Sequence, residues 1–124
     1  MEELIEKSNV GFIKANGFEI VSITKDKVEL KYIAKESGLN PMGIIHGGLL
    51  FGLADTAAGT LAFTTGKKCV TTSCNMNYLK PALKKVTATA TILKIGKNIG
   101  YYYVELKENN SLIATANVNM FFID

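Results

Sequence analysis

The spacing of hydrophobic residues changes along the chain, and each spacing predicts a different kind of element. Residues 1–14 show helical spacing, with Leu4 and Ile5 facing inward and Phe12 as a further candidate. From residue 17 onward, hydrophobic residues alternate with polar ones, which is typical of half-buried strands. Because the links between these strands are short, we expect an antiparallel sheet. The predicted strands cover residues 17–24, 28–33, 69–79, 86–95, 99–107 and 112–123.

An almost wholly apolar segment separates the second predicted strand from the third. Residues 43–65 are rich in Leu, Ala and Phe and contain one charged residue, Asp55. They predict a helix over 44–63 that is apolar on nearly all sides, so it must be enclosed by protein or by lipid. Gly48 and Gly52 have the GxxxG spacing of membrane helices. The mid-helix acid and the strand-like flanks favour the other alternative, a helix enclosed by a wrapped sheet.

Length, composition and charge narrow the class of protein. A chain of 124 residues with 48% hydrophobic residues can form one domain with its own core. The formal net charge is +3, from 14 basic and 11 acidic residues, and the basic residues are scattered. We therefore expect no nucleic-acid partner, although a small polyanionic ligand such as a nucleotide would be favoured.

The cysteines and the first residues indicate the compartment. Cys69 and Cys74 are an odd number of residues apart, so a regular strand would place them on opposite faces, where they could not form a disulfide. A single histidine and the absence of a CxxC motif leave no ligand set for a structural zinc ion. Residues 1–7 lack the basic and apolar regions of an export signal, so we expect a cytoplasmic protein.

Two features of the apolar helix carry chemistry. Asp55 is a charge in uncharged surroundings, so it is either hydrogen-bonded to a neighbouring loop or used in a reaction. His46-Gly47-Gly48 stands where the helix begins, and the first N–H groups of a helix have no partner within it. Glycine lets a substrate carbonyl approach such donors closely, as in an oxyanion hole. The alternative is a tight turn into the helix, with His46 bonded to the backbone.

Taken together, these features make the chain similar to a known protein family. His-Gly-Gly opens a lone apolar helix, an acid follows nine residues after the histidine, and only strands come afterwards. Over about residues 17–123 the chain is similar to hotdog-fold acyl-CoA thioesterases of the phenylacetate-degradation (PaaI-type) and 4-hydroxybenzoyl-CoA thioesterase group. The resemblance implies an α+β hotdog fold in one domain over 1–124, with a long central helix wrapped by a curved antiparallel sheet. The residues that carry it are Asn40, Gly43, His46-Gly47-Gly48, Ala54-Asp55, Val70-Thr71 and Tyr78-Leu79-Lys80-Pro81-Ala82.

The resemblance also implies roles for individual residues. Asp55 matches the acidic nucleophile or general base of the family, and the N–H of Gly47 matches the donor that polarises the thioester carbonyl. Asn40 corresponds to an Asn or Gln that helps to hold the carbonyl or the attacking water. His46 would orient the loop and Asn40. Thr71 matches a Ser or Thr that positions water in some relatives.

Some of these assignments leave alternatives. A shift in register would move the role of Thr71 to Thr72 or Ser73. Gly48 would lie against the substrate, and Lys80 and Lys97 would bind the phosphates of coenzyme A, unless both are ordinary solvated lysines. Coenzyme A would enter only as part of substrate and product, with no separate cofactor and no metal.

The predicted reaction is hydrolysis of an aromatic or medium-chain acyl-CoA to the free acid and coenzyme A. A non-catalytic protein that binds acyl-CoA or fatty acids, and a hotdog dehydratase acting on 3-hydroxyacyl thioesters, are the alternatives. Gly47 and Asp55 are eight residues apart, or about 12 Å along one helix, which is too far for both to reach one carbonyl. We therefore expect a homodimer with composite sites. The family resemblance implies either such a dimer or a pair of dimers.

Overall fold

A computed structural model describes residues 2–123. One long helix packs against a six-stranded antiparallel sheet, as the sequence predicted. The strand bounds lie within two residues of the predicted ones. The elements in chain order are α1 (Glu2–Ser8), α2 (Gly11–Ala15), β1 (Glu19–Ile23), β2 (Lys27–Ile33), a single 3-10 turn (Glu36–Gly38), α3 (Gly47–Phe63), β3 (Lys68–Tyr78), β4 (Lys85–Ile95), β5 (Ile99–Glu108) and β6 (Ser111–Ile123).

Helix α3 lies in the connection that carries the chain from β2 to the edge of the sheet opposite β1. The strands are arranged β1-β2-β4-β5-β6-β3, and every neighbouring pair is antiparallel. After β2 the chain passes through α3 and returns as β3 at the far edge. Helix α3 contacts all the strands from β2 to β6. Its buried face, which includes Leu53, Ala57 and Leu61, forms the centre of the core.

Helix α3 begins three residues later than predicted. Ile45 lies in an extended bridge with Leu39, and its N–H donates to the carbonyl of Ala82. His46 is also extended, with φ −61° and ψ 135°, so helical geometry starts only at Gly47. Apolar spacing could not reveal this, because the isoleucine is buried whether it lies in a helix or in a bridge. The predicted end at residue 63 is confirmed.

The expectation that α3 is enclosed on all sides is not met within residues 2–123. Gly48 is exposed, and the rings of Phe51 and Phe63 are 39% and 40% exposed. The sheet covers one side of the helix, and none of the described residues covers part of the opposite side. An apolar helix face of this kind is typical of a surface that contacts another molecule.

The N-terminal segment forms two short helices, where the sequence predicted one over residues 1–14. Val10 is extended, with φ −137° and ψ 166°, and this interrupts the helical path before α2. Leu4 and Ile5 pack against the core as predicted, whereas Phe12 is 59% exposed. The ring of Phe12 meets that of Phe18 edge-on, with 5.7 Å between centroids. Met1 lies outside the described residues.

A β-bulge interrupts the pairing of β3 with β6 between Thr71 and Ser73. Thr71 lies opposite the buried Met120, and Cys74 lies opposite the buried Val118, so both face the core side. The extra residue of a bulge reverses the alternation of the strand beyond it. The prediction that the two cysteines face opposite sides is therefore wrong, because it assumed a regular strand. Both thiols are half-buried and free.

No helix within residues 2–123 has both the length and the apolar character needed to cross a membrane.

Candidate active site

The start of α3 leaves one backbone donor free. His46 caps the helix, because its Nδ1 accepts a hydrogen bond from the N–H of Gly48 at 2.8 Å. The N–H groups of Leu49 and Leu50 both donate to the carbonyl of His46. The N–H of Gly47 has no acceptor within residues 2–123. Of the first-turn donors, Gly47 is therefore the one that can polarise a substrate carbonyl.

The cap also ties the ring of His46 to the backbone. Because Nδ1 accepts the hydrogen bond from Gly48, the ring nitrogen that is left to meet another group is Nε2. The N–H of His46 donates to the carbonyl of Gly38 at 2.8 Å, which ties the helix start to the preceding 3-10 turn. The N–H of Gly48 already donates to His46, so it is not available to a substrate. The contribution left to Gly48 is the space that its missing side chain leaves for a substrate.

Asn40 lies beside Gly47 in a cavity of about 320 Å³. Its Oδ1 accepts hydrogen bonds from the N–H groups of Met42 and Ile44 at 2.9 and 3.3 Å, which fixes the orientation of the amide. The Nδ2 of Asn40 has no acceptor in the described part of the chain, so it is a second free donor in the cavity that Gly47 also lines. No hydrogen bond joins His46 to Asn40 within residues 2–123, so this orienting role remains a prediction.

Asp55 lies eight residues after Gly47 in α3 and is hydrogen-bonded to a residue of β3. The hydroxyl of Thr71 donates to Oδ1 of Asp55 at 2.7 Å. Of the three candidates for this position, Thr71 is the one that the structure places against the acid. Thr72 and Ser73, which follow at the bulge, make no such contact with Asp55 within the described residues.

The neighbouring thiols are poor nucleophiles. Burial raises the pKa of Cys74 to about 11, and the negative charge of Asp55 acts in the same direction. The pKa of Cys69 is raised for the same two reasons. Both cysteines are therefore protonated near neutral pH, so neither competes with Asp55 as a candidate nucleophile. Residues 2–123 contain no group of three His, Cys, Asp or Glu side chains that could hold a metal ion.

The acid and the free N–H lie in separate cavities. Asp55 and Thr71 line one of about 690 Å³, whereas Gly47 and Asn40 line the cavity of about 320 Å³. The two cavities share no lining residue. Eight helical residues separate Gly47 from Asp55, which is about 12 Å along the axis. One chain therefore does not bring both groups to a single carbonyl.

Comparison with known proteins assigns the family. The sequence model of the thioesterase superfamily matches residues 42–114, more than half of the chain. The chain belongs to the thioesterase superfamily. Its fold is the hotdog fold of the PaaI type, as the resemblance implied, and the protein is a thioester hydrolase.

Two relatives and two solved structures illustrate the similarity. The acyl-coenzyme A thioesterase PaaI of Escherichia coli is 33% identical over 75% of this chain and 68% of its own length. Its solved structure has a TM-score of 0.90 and covers 96% of this chain and 88% of that one, at 28% identity. Acyl-coenzyme A thioesterase 13 of Mus musculus is 32% identical over 77% of this chain and 72% of its own. A thioesterase structure from Haemophilus influenzae, 29% identical, has a TM-score of 0.89 and covers 99% and 90% of the two chains.

The two candidate lysines of this thioesterase lie in different places. Lys80 lines the cavity that holds Gly47, and its Nζ donates to the hydroxyl of Ser111 at 2.9 Å. Lys97 lies in the turn between β4 and β5 and lines neither of the two cavities. A phosphate-binding role is therefore better placed at Lys80 than at Lys97 within one chain.

Tyr78 belongs to the site, although the sequence indicated no role for it. Its hydroxyl donates to the carbonyl of Gly47 at 2.8 Å. The peptide between Gly47 and Gly48 is thus held at both ends, by Tyr78 at its oxygen and by His46 at its nitrogen. The signal that could have indicated this role lies in the order and direction of α3 and β3. A strand that returns antiparallel to a helix ends beside the helix start, so a tyrosine at its last residue can reach that start.

Proposed function

We propose that this thioesterase hydrolyses acyl-CoA thioesters to the free acid and coenzyme A, in sites formed jointly by two copies of the chain. One observation carries the proposal: the free N–H of Gly47 and the carboxylate of Asp55 are complementary groups held about 12 Å apart on one helix. The names of the E. coli and mouse relatives, both acyl-coenzyme A thioesterases, support the choice of substrate class.

The proposed reaction uses the two halves of the site at once. The thioester oxygen accepts hydrogen bonds from the N–H of Gly47 and the Nδ2 of Asn40, which draws electron density from the carbonyl carbon. Asp55 of the partner removes a proton from a water molecule positioned by Thr71, and the water oxygen bonds to that carbon. The tetrahedral intermediate then collapses, the C–S bond breaks, and the coenzyme A sulfur leaves with the proton returned by the acid.

A second route has the same residues in the same places. The carboxylate of Asp55 attacks the carbon itself and expels the thiolate, and water then hydrolyses the resulting anhydride. In either route the N–H of Gly47 stabilises the same oxyanion. A donor of this kind contributes about 3 kcal/mol to the lowering of the barrier.

The geometry of the dimer follows from the unpaired surfaces of the chain. Strand β3 is an edge strand, and α3 is exposed at Phe51, midway between Gly47 and Asp55. Two copies related by a two-fold axis would cover these surfaces, because such an interface pairs one surface patch with itself. Antiparallel helices would then place Asp55 of one copy beside Gly47 of the other, giving two sites per dimer. A pair of such dimers is compatible with the same sites.

The acyl group is proposed to be aromatic or medium-chain. Coenzyme A would lie on the Gly47 side, with Lys80 near its phosphates and Lys97 as a weaker candidate, and the acyl group on the Asp55 side. We also propose that the enzyme acts in the cytoplasm, in keeping with the two free thiols.

The test is a panel of acyl-CoA substrates, assayed through the released thiol. Asp55→Asn keeps the shape of the side chain and removes the base or nucleophile, so kcat should fall by at least ~10³-fold. The same change at Asp26, in the exposed β1–β2 turn, is the matched control and should leave kcat unchanged. Activity of Asp55→Asn near that of the wild type would contradict the proposed chemistry. A wild-type protein that binds acyl-CoA but hydrolyses none of the panel would instead be a binding protein.

A further inference from the structure

The cavity of about 690 Å³ begins at Asp55 and is lined mostly by apolar residues, together with the hydroxyl residues Ser8, Thr56, Thr60 and Thr71. Four elements border this open cavity: the outer side of α3, the first half of β3, the end of β6, and residues 8–13 of the N-terminal segment. Apart from the acid, Lys68 is the one charged residue in its lining. The volume lies within the range of cavities that hold small organic ligands. Five exposed large hydrophobic residues line it, namely Val10, Phe12, Phe63, Val70 and Ile123.

Three residues of α3 set the length of this cavity. Asp55, Gly59 and Phe63 follow one another at intervals of four, so they lie along one side of the helix, and all three line the cavity. The distance from Asp55 to Phe63 is about 12 Å along the axis. An extended alkyl chain advances ~1.3 Å per carbon, because its bonds of about 1.5 Å follow a zigzag. About nine carbons therefore span the distance from the acid to the phenylalanine.

Gly59 is the residue that leaves this space open. Apart from proline, glycine is the least favourable residue inside a helix, so its presence needs a reason. A Cβ at Gly59 would meet only the Cε of Met120, at 3.3 Å, which is the flexible end of a side chain. The packing of the core thus tolerates a methyl group here. At Gly52, in contrast, a Cβ would lie 3.0 Å from the ring of Phe12, so packing alone explains that glycine.

We propose that this cavity binds the acyl chain, that Gly59 forms its floor and Phe63 its far end, and that the enzyme prefers unbranched chains of about eight to ten carbons. This inference rests on the proposed function, since it places the thioester carbonyl at Asp55. A benzoyl or phenylacetyl group would fill only the half nearest the acid and would leave Phe63 exposed. The geometry therefore favours alkyl over aromatic substrates.

The experiment measures kcat/KM for saturated acyl-CoA substrates from two to sixteen carbons, together with benzoyl-CoA and phenylacetyl-CoA. Each buried methylene contributes about fourfold to binding, so Gly59→Leu should lower kcat/KM for the eight- to ten-carbon substrates by at least ~15-fold, the equivalent of two methylenes. Substrates of two to four carbons should change less than about twofold, because they end before Gly59. Phe63→Ala should move the preferred length upward by roughly two to four carbons, since it removes the end of the cavity.

Phe121→Ala is the matched control for Phe63→Ala, because the two rings are exposed to the same extent and Phe121 does not line the cavity. The preferred chain length should stay the same in the control. Gly59→Ala provides a milder change that the helix favours, so its melting temperature should be at least that of the wild type.

Three outcomes would overturn the inference while leaving thioester hydrolysis intact. One is an unchanged length profile in both Gly59→Leu and Phe63→Ala. Another is a wild-type preference for the aromatic substrates. The third is a weakened dimer with an unchanged length profile in Gly59→Leu, measured by light scattering, which would assign the cavity to the subunit interface. Failure of the wild type to hydrolyse any thioester would instead refute the proposed function itself.

Discussion

Gly47→Pro removes the free donor of the site and little else. Gly47 is the first residue of α3, a position that proline favours, because the missing N–H has no partner within the helix. The preceding residue, His46, has φ −61° and ψ 135°, which is the conformation that a residue before proline adopts. A Cβ at Gly47 would lie 3.5 Å from the ring of Tyr78, an ordinary contact. We therefore expect Gly47→Pro to fold and to keep the helix start in place.

The magnitude follows from the loss of one oxyanion donor. Removal of such a donor costs about 10²- to 10³-fold in kcat. Gly47→Ala is the matched control, because it adds a similar Cβ and keeps the N–H, and its kcat should stay within about threefold of the wild type. Asp55→Ala removes the other half of the site and should be at least as inactive as Gly47→Pro.

Mixing the two inactive variants tests whether the halves belong to different chains. After dissociation and random reassociation, about half of the dimers contain one chain of each kind. In a mixed dimer, one site carries both changes and the other site carries neither. One quarter of all sites is then intact, so activity should recover to about 25% of the wild type per chain.

The control is the same mixture before subunit exchange, which should stay inactive. Light scattering must show that both variants remain dimers, and exchange between differently tagged chains must be confirmed by co-purification. If the exchanged mixture stays as inactive as its parents, Gly47 and Asp55 do not act together across the interface. The composite site would then be wrong.

Three further predictions concern individual side chains. Tyr78→Phe removes the hydrogen bond to Gly47 and keeps the ring, so kcat should fall about three- to tenfold with KM unchanged, as steady-state kinetics would show. Although burial acts in the opposite direction, hydrogen bonds from the three N–H groups of residues 83–85 lower the pKa of Glu108. Above the pKa that Glu108 has in the unfolded chain, its carboxylate therefore stabilises the fold, and this stabilisation is lost as the pH falls through the pKa in the folded state. Urea titrations should show Glu108→Gln to be less stable than the wild type at pH 7. The difference in unfolding free energy should shrink at acidic pH. Because the pKa of Cys74 is about 11, its alkylation in the native protein at pH 8 should be ~100-fold slower than that of free cysteine, as mass spectrometry can measure.

The sequence predicted the fold well where spacing alone decides the element. The six segments in which apolar and polar residues alternate form the six strands, and the one apolar segment without this alternation forms α3. Spacing did not locate the start of α3, because Ile44 and Ile45 are apolar and would be covered in either conformation. The better signal was the polar His46 followed by two glycines, which is where the cap forms.

The bulge in β3 is the feature that sequence spacing could not supply. A bulge adds one residue to one strand, and the added residue has no signature of its own among Thr71, Thr72 and Ser73. It turns Cys74 to the same side as Cys69, and the position of Thr71 before it leaves the hydroxyl against Asp55. For the same reason, the choice among the three hydroxyl residues needed coordinates.

The contacts between α3 and β3 give a physical reason for a tyrosine at position 78. From Asp55 back to Gly47 the helix covers about 12 Å. From Thr71 to Tyr78, with one residue taken up by the bulge, the strand covers roughly 20 Å. The strand therefore extends beyond the helix start, and only a long side chain can return a hydroxyl to the carbonyl of Gly47. A short side chain suffices at Thr71, where the two elements meet, whereas serine or threonine at position 78 would leave that carbonyl without its second hydrogen bond.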